Sequence, residues 1–404
     1  MVTINMETAE ALTPRSEVEA RIEKLKIQLE DTGIGAALIL QIPDLFYFSG
    51  TIQQSHLFVP VDGEPLLMVR KDFERARSES PIEHVIPLHS PKQIPDILTQ
   101  HGYPLPRRLG MEMDVLPANL YLSYKDLFDG IELVDVSPAI RTVRSVKSAY
   151  EIDLIGQAAR FSDQVAGSVK EFLREGISEI ELAGQVEGRA RSLGHQGIVR
   201  MRLWGSDLFY GHLMAGPAAA VPSYLSSPTG GAAVSPAVAQ GSGFRPIGRH
   251  EPVLLDYVFA FQGYMSDHAR IFSIGELPDD LVTAHQAMLQ IQARLKDIAR
   301  PGVRTGDIYE KAVQLAAEMG YSENFMGADA ERIRFVGHGI GIELDEYPFL
   351  AKGQQLELQK GMIIALEPKV IFPGVGVVGI ENTHVVTEAG LKQFGRFNEE
   401  INEL

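Results

Sequence analysis

Residues 361–390 read GMIIALEPKVIFPGVGVVGIENTHVVTEAG. Two apolar segments flank a glycine-rich centre at 373–375, which is the pattern of a β-hairpin. Such a hairpin places Glu367 and Glu381 opposite each other across the turn, each within an apolar strand. Two opposed carboxylates in apolar surroundings do not both ionise unless a cation compensates their charge. The segment therefore predicts a cation-binding pair.

A second hairpin is predicted upstream, where residues 252–275 read PVLLDYVFAFQGYMSDHARIFSIG. Gln262 and Gly263 form the turn between two apolar segments. With this turn, Asp256 and Asp267 are diagonal neighbours on one face of the sheet, with backbones ~7 Å apart. Both carboxylates are then within reach of a shared ion.

A third segment, RFVGHGIGIELDE (334–346), places His338 among glycines at 337, 339 and 341. Missing side chains let backbone and ligands approach closely. By itself, His338 is more simply explained as a hydrogen-bonded core histidine, just as Asp256 alone is explained as a turn cap. Two carboxylate pairs on two hairpins, together with one glycine-flanked histidine, instead indicate a metal centre.

One histidine and four carboxylates are enough for two divalent ions with bridging carboxylates. This set of oxygen and imidazole ligands suits Mn²⁺, Co²⁺, Fe²⁺ or Zn²⁺. Two ions ~3.5–4 Å apart can share a hydroxide and make it a nucleophile near neutral pH. We therefore expect two divalent metal ions per chain.

The composition excludes several other classes of site. The 404 residues contain no cysteine, which rules out disulfides, thiolate metal sites and cysteine nucleophiles. The formal net charge of −16 makes nucleic acid and anionic membranes poor partners. The N-terminal residues lack the pattern of a secretory signal, and no stretch approaches the ~20 apolar residues of a membrane span. We expect a soluble, cytoplasmic protein that binds neither nucleic acid nor membrane.

Helix and strand patterns divide the chain into three parts. Residues 1–15 are expected to form a loose lead-in. Residues 16–140 alternate helices, strands and a hairpin, which is typical of an α/β domain. A long amphipathic helix begins at Ala149 and opens a second domain, residues 145–404. Inside it, the Gly-, Pro- and Ser-rich stretch 215–244 is either a flexible linker or an ordered loop beside a site.

The ligand pattern resembles that of the creatinase/prolidase/methionine-aminopeptidase family, the pita-bread metallopeptidases of family M24. The family pattern is an Asp, a second Asp eleven residues later, a His in an H-G-x-G loop, a Glu before Pro and a Glu in an E-[DN]-T run. This chain is similar at each position, with Asp256, Asp267, His338-Gly339-Ile340-Gly341, Glu367-Pro368 and Glu381-Asn382-Thr383. Segments 45–51 (LFYFSGT) and 144–152 also resemble the family, and the Xaa-Pro dipeptidase and aminopeptidase branch is the most similar.

The resemblance implies an α+β fold, with a pita-bread catalytic domain preceded by a smaller α/β N-terminal domain of the creatinase/prolidase type. Asp267 and Glu381 would bridge two metals, and Glu367 would help to deprotonate the attacking water. Proteins of this branch commonly form homodimers through the N-terminal domain, so a homodimer is expected. The implied metal ligands are Asp256, Asp267, His338, Glu367 and Glu381.

Three positions depart from the family pattern. Asp345 stands where the family carries a histidine seven residues after the metal-binding one, and Ser223, in VPSY, stands where it carries a histidine after a proline. Many members have an arginine two residues before the final Glu, where this chain has Gly379. An anionic Asp345 does not stabilise an oxyanion unless it is protonated, and Ser223 is a weak donor. His212 is a candidate replacement donor, with a structural role as the alternative.

The predicted function is dinuclear metal-dependent hydrolysis of a small peptide or amide, with Xaa-Pro cleavage by a metal-activated hydroxide as the leading reaction. The changed histidine positions leave open a related enzyme acting on a non-peptide small molecule, such as another C–N hydrolase or a lyase. A non-catalytic scaffold is less favoured, because a scaffold has no physical need for clustered carboxylates. The predicted catalytic residues are Glu367, His212, Ser223 and Asp345.

Overall fold

The computed structural model describes residues 12–208, 210–328 and 331–404. The chain separates into two compact units, and the boundary between them follows Arg144. The lead-in expected over residues 1–15 lies mostly outside the described residues.

The N-terminal unit is built around one mixed sheet. Its helices are α1 (Arg15–Asp31), α2 (Ile42–Ser49), α3 (Phe73–Glu79), α4 (Ile94–Gln100), α5 (Ala118–Leu127) and α6 (Ser137–Ser145), with a 3₁₀ turn at Pro91–Gln93. Its strands are β1 (Ala36–Ile39), β2 (Ser55–Pro60), β3 (Leu66–Val69), β4 (His84–Pro87), β5 (Arg108–Met111) and β6 (Glu132–Asp135). Among the described residues the strand order is β4-β3-β2-β1-β5-β6. Strand β2 pairs antiparallel with β1 and with β3. The pairs β1–β5, β5–β6 and β3–β4 are parallel.

The C-terminal unit combines helices with several sheets. Its helices are α7 (Ala149–Phe172), α8 (Glu179–Ser192), α9 (Gly216–Ala219), α10 (Asp279–Ile298) and α11 (Thr305–Glu318). Its strands are β7 (Gly211–Ala215), β8 (Val253–Phe261), β9 (Tyr264–Ser273), β10 (Phe335–Gly339), β11 (Glu346–Ala351), β12 (Ile363–Leu366), β13 (Lys369–Phe372), β14 (Gly376–Gly379), β15 (Asn382–Thr387), β16 (Gly390–Gln393) and β17 (Asn402–Glu403).

Three sheets organise these strands in the described residues. One runs β17-β9-β8-β7, another runs β11-β10-β12-β15-β16, and β13 and β14 form a short ribbon. A capping box between Ser148 and Glu151 starts α7, because the Ser148 hydroxyl accepts the backbone N–H of Glu151 and the Glu151 carboxylate accepts the backbone N–H of Ser148.

Strand alternation decides which side chains of β8 face the helices. Leu255, Tyr257 and Phe259 join the apolar cluster of α7 and α8, whereas Leu254 joins the cluster of α10 and α11. Because successive side chains point to opposite faces, Asp256 points away from α7 and α8. Both faces of the strand are covered, which explains its nearly continuous apolar sequence.

No helix among residues 12–208, 210–328 and 331–404 is both long enough and apolar enough to cross a membrane. The longer helices instead carry one buried apolar stripe. In α10 that stripe includes Leu281, Met288 and Ile291.

Replacing Ile291 by alanine is expected to reduce the free energy of unfolding by about 2–5 kcal/mol, because it leaves a cavity in a closely packed cluster. The measurement is urea denaturation followed by circular dichroism. Val282→Ala, at a 37% exposed position of the same helix, is the matched control and is expected to change stability by less than about 0.5 kcal/mol. Equal losses in the two variants would contradict this packing.

Candidate metal centre

The β8–β9 hairpin has the register expected from its Gln262-Gly263 turn. Val258 lies opposite Asp267, and Asp256 lies opposite Ala269. The two aspartates are therefore diagonal neighbours on one face, as predicted.

The predicted register around Glu367 and Glu381 is confirmed on both sides of the pair. Leu366 lies opposite Asn382 in β12–β15, and Lys369 lies opposite Gly379 in β13–β14. The glutamates occupy the positions between these two ladders, and both are buried. The interruption separates two sheet segments and leaves the carboxylates facing the interior.

Hydrogen bonds fasten the two carboxylate-bearing hairpins to each other. The hydroxyl oxygen of Thr383 accepts a hydrogen bond from the backbone N–H of Asp267 at 2.9 Å. The same hydroxyl donates a hydrogen bond to the carbonyl oxygen of Asp267 at 2.8 Å. The buried guanidinium of Arg270 donates to the carbonyl oxygen of Glu381 at 2.9 Å and to the Asn382 side chain at 2.8 Å. These bonds hold the backbones of Asp267 and Glu381 side by side.

His338 enters the same interior from β10. Its Nδ1 lies 3.1 Å from the carbonyl oxygens of both Gly339 and Leu344. Carbonyl oxygens only accept, so Nδ1 carries the proton and Nε2 is directed elsewhere. Nε2 lies 3.9 Å from Asp267 Oδ2 and 3.8 Å from Glu381 Oε1, distances too long for hydrogen bonds.

A glycine is required beside this histidine. A Cβ atom at Gly337 would lie 2.5 Å from the carbonyl oxygen of Ala365, where β12 passes close to β10. The close pairing of these strands sets the depth at which His338 enters the site.

The gap between these side chains fits a cation. Asp267 Oδ1 and Glu381 Oε1 are buried and have no hydrogen-bond partner in the described residues. Ligand atoms of Asp267, His338 and Glu381 all lie within 4.8 Å of one another. Buried acceptors without a donor are costly, and a divalent ion would satisfy all three residues together.

Lys369 occupies the other side of the cluster, and the sequence pattern did not predict this. Its Nζ donates to Asp256 Oδ2 at 2.8 Å, to Glu367 Oε2 at 2.8 Å and to Glu381 Oε2 at 2.7 Å. The side chain is fully buried. The available signal was a lysine within the apolar run IIALEPKVIF, because an ammonium group in a buried strand requires acidic partners.

The charges of the cluster follow from burial. Burial, reinforced by Glu381 and Asp256, raises the pKa of Asp267 well above its usual range. Burial, followed by the charge of Glu367, raises the pKa of Glu381 to about 8. Burial lowers the pKa of Lys369, but the three carboxylates outweigh it and hold that pKa well above the usual value. The lysine alone therefore does not neutralise the cluster.

A cavity lies over the four carboxylates and His338, and part of the stretch 215–244 forms its wall. That stretch contributes Leu225, Ser227 and Gln240 to the wall, so it lies beside the site. Gln240 is buried, and its Oε1 has no partner among the described residues. The sequence pattern gives no sign of this residue, because the glycine- and serine-rich stretch carries no periodicity that would place it.

The other expected site residues fall into two groups. His212 and Asp345 line the cavity above the carboxylates, and His212 lies opposite Asp256 across β7–β8. Ser223 lines an adjoining cavity together with Asp345, and its hydroxyl accepts the backbone N–H of Leu225 at 3.0 Å. The structure therefore brings His212, but not Ser223, to the wall shared with the aspartates.

Asp345 lies beside the histidine rather than beside the other carboxylates. Its Oδ1 is 3.6 Å from Nδ1 of His338. Burial lowers the pKa of His338, but Asp345 and the glutamates raise it above its usual value. A bound cation would therefore compete with a proton at Nε2. Burial also lowers the pKa of His212, partly offset by Asp256, which favours a neutral imidazole.

Comparison with known families agrees with this geometry. The model of the Creatinase/Prolidase N-terminal domain matches residues 21–146, and that of metallopeptidase family M24 matches residues 153–388, more than half of the chain. The chain belongs to metallopeptidase family M24. The predicted two-domain α+β architecture, with a pita-bread domain after a smaller N-terminal domain, is confirmed.

Relatives of this M24 protein match it along nearly their whole length. It is 25% identical over 386 residues to an Xaa-Pro dipeptidase of Pyrococcus furiosus. The aligned region covers 95% of this chain and 100% of the relative. It is 27% identical over 377 residues to the uncharacterized peptidase YqhT of Bacillus subtilis. That aligned region covers 92% of this chain and 96% of the relative. The M24 protein is thus a metallopeptidase-like hydrolase, of a family that uses divalent metals.

Solved structures share the fold. The Xaa-Pro dipeptidase from Bacillus anthracis has a TM-score of 0.82 at 23% identity and covers 96% of this chain and 100% of its own. The prolidase from Pyrococcus horikoshii OT3 has a TM-score of 0.78 at 24% identity and covers 94% of this chain and 99% of its own. At these identities the likeness establishes the architecture of the M24 protein and nothing finer.

Replacing His338 by alanine is expected to weaken Mn²⁺ binding by at least about 100-fold. Mutating a residue that only hydrogen-bonds to a metal ligand already lowers metal affinity by roughly 10–100-fold, and losing a ligand itself costs at least as much. Isothermal titration calorimetry on metal-free protein measures the change. His101→Ala, at an exposed position in the N-terminal unit, is the control and is expected to bind Mn²⁺ normally. Unchanged affinity in His338→Ala would place the metal elsewhere.

Proposed function

We propose that this protein is a metal-dependent hydrolase of small peptides or amides, with Xaa-Pro dipeptides as the leading substrates. The observation that carries the proposal is the convergence of ligand atoms of Asp267, His338 and Glu381, where each of the two carboxylates has one buried oxygen without a hydrogen-bond partner among the described residues. The naming of a full-length relative as an Xaa-Pro dipeptidase supports the substrate class.

A divalent ion held by these residues would supply Lewis-acid polarisation of the scissile carbonyl and activation of water. The protein contributes proton transfer and positioning. Glu367 lines the cavity, and its Oε1 faces the histidine at 4.0 Å, so this oxygen can accept a proton from the attacking water. A neutral His212 in the same wall is placed to donate a hydrogen bond to the developing oxyanion.

The sequence predicted two divalent ions per chain, drawn from manganese, cobalt, zinc and iron. That expectation did not include Lys369, which bonds to oxygens of Asp256, Glu367 and Glu381. The proposed reaction requires one ion. The identity of that ion, the homodimer and the cytoplasmic location remain proposals that rest on the sequence and on its resemblance to the family.

Replacing Glu367 by glutamine is expected to lower kcat by about 10²–10⁴-fold, because it removes the proton acceptor. The assay is release of free amino acid from Xaa-Pro dipeptides by protein reconstituted with Mn²⁺ or Co²⁺. Glu388→Gln, at a position outside the cavity wall, is the control and is expected to keep full activity. Equal activity of the two variants would contradict the assigned role.

The second candidate function is turnover of a non-peptide amide, or a lyase reaction, in the same cavity. The observation in its favour is Asp345, a carboxylate in the cavity wall that is a poor partner for an oxyanion. A substrate panel separates the two functions. Turnover confined to non-peptide compounds would replace the peptidase proposal.

If peptides are the substrates, Asp345 is suited to bind their free amino group. Asp345→Asn is then expected to raise KM for free-amine dipeptides by about tenfold, since hydrogen bonds to charged groups contribute roughly 1.5–3 kcal/mol. N-acetylated dipeptides provide the comparison, and their KM is expected to stay constant. The same shift for both substrate types would contradict this role.

A further inference from the structure

Lys369 takes one oxygen from each of two glutamates, and the second oxygen of each glutamate faces His338. Glu367 gives Oε2 to the ammonium at 2.8 Å and turns Oε1 toward His338 Nε2 at 4.0 Å. Glu381 does the same, with Oε2 at 2.7 Å from Nζ and Oε1 at 3.8 Å from the imidazole. Each carboxylate therefore bridges from the lysine to the gap beside the histidine. Bridging carboxylates between two cations are the arrangement of a dinuclear centre.

Asp256 belongs to the lysine side of the cluster. Its Oδ2 lies 2.8 Å from Nζ, and it is not part of the group of close ligand atoms formed by Asp267, His338 and Glu381. An ammonium group has three donors, and three carboxylates receive them. A metal ion bound to the same three oxygens would lie against a like charge, so ion and ammonium exclude each other at this position.

The strand opposite Lys369 is shaped to accept its stem. Gly379 is its cross-strand partner, and a Cβ atom there would lie 2.6 Å from Lys369 Cα and 2.9 Å from Lys369 Cγ. Gly379 stands where many family members carry an arginine, and the absence of a side chain there leaves room for the stem of Lys369. The departure at Gly379 and the lysine opposite it, one on each strand of β13–β14, fit each other sterically.

We propose that the ammonium group of Lys369 replaces one of two metal ions, so that the centre binds a single divalent ion between Asp267, His338 and Glu381. Glu367 Oε1 is the fourth group facing that ion. The inference rests on the proposed function, because it concerns the same centre. Lys369 acts as a positioning residue that fixes both glutamates from the side away from the ion.

The test is metal stoichiometry rather than activity. Wild-type protein and the variants Lys369→Met and Lys369→Ala are loaded with Mn²⁺, freed of unbound metal and analysed for manganese per chain. Electron paramagnetic resonance distinguishes an isolated Mn²⁺ ion from a coupled pair. Lys369→Met keeps a stem of similar length and removes only the ammonium group.

Two controls make the count specific. Lys296→Met removes an ammonium that bonds to Gln393 Oε1 at 3.0 Å, outside the centre, and is expected to match the wild type. His338→Ala gives the background from adventitious binding to this acidic chain.

We expect one Mn²⁺ per wild-type chain with the spectrum of an isolated ion, and two per chain with a coupled spectrum in the Lys369 variants. Two ions in the wild type, or one in a folded Lys369 variant, would overturn the replacement and leave the proposed hydrolase intact. No bound ion in the wild type would overturn both. If neither variant folds, the wild-type count decides.

Discussion

Repulsion among buried carboxylates is the interaction on which the C-terminal unit depends. Four acidic side chains, those of Asp256, Asp267, Glu367 and Glu381, converge inside an apolar unit, where each charge is poorly screened. Three of them accept hydrogen bonds from the ammonium of Lys369, and the second oxygens of Glu367 and Glu381 face a histidine whose protonated nitrogen points away. The arrangement favours a bound cation, because folding brings the repelling groups together and a divalent ion would offset that cost.

The surrounding fold supplies rigidity to that site. Asp256 and Asp267 lie on paired strands, and Glu367 and Glu381 lie in short breaks between strands. Buried side chains such as Thr383 and Arg270 tie the strands across the centre. Covered on both faces by helices and sheet, these strands have little freedom to separate and relieve the repulsion. The cavity above them is more variable in character. A glycine- and serine-rich loop forms part of its wall, and Asp345 contributes a carboxylate to it.

The departures from the family pattern have different physical consequences. Asp345 lies in the cavity wall and bears on what the cavity can bind, whereas Gly379 leaves room for Lys369, which bears on how the charge of the centre is balanced. Gly379 and Lys369 are cross-strand partners. A lysine with no side chain opposite it can lie flat along the strand and reach the carboxylates.

The pairing within each hairpin follows from the amino-acid sequence alone. Turn residues and strand parity fix the register, so the relation of Asp256 to Asp267 and of Glu367 to Glu381 is predicted correctly from local patterns. These are constraints between neighbouring strands. The meeting of the two hairpins with His338, and the direction taken by Lys369, depend instead on the tertiary structure. Contacts between distant segments require packing of the whole unit, and a side chain with four rotatable bonds reaches its partners only after those partners have been assembled.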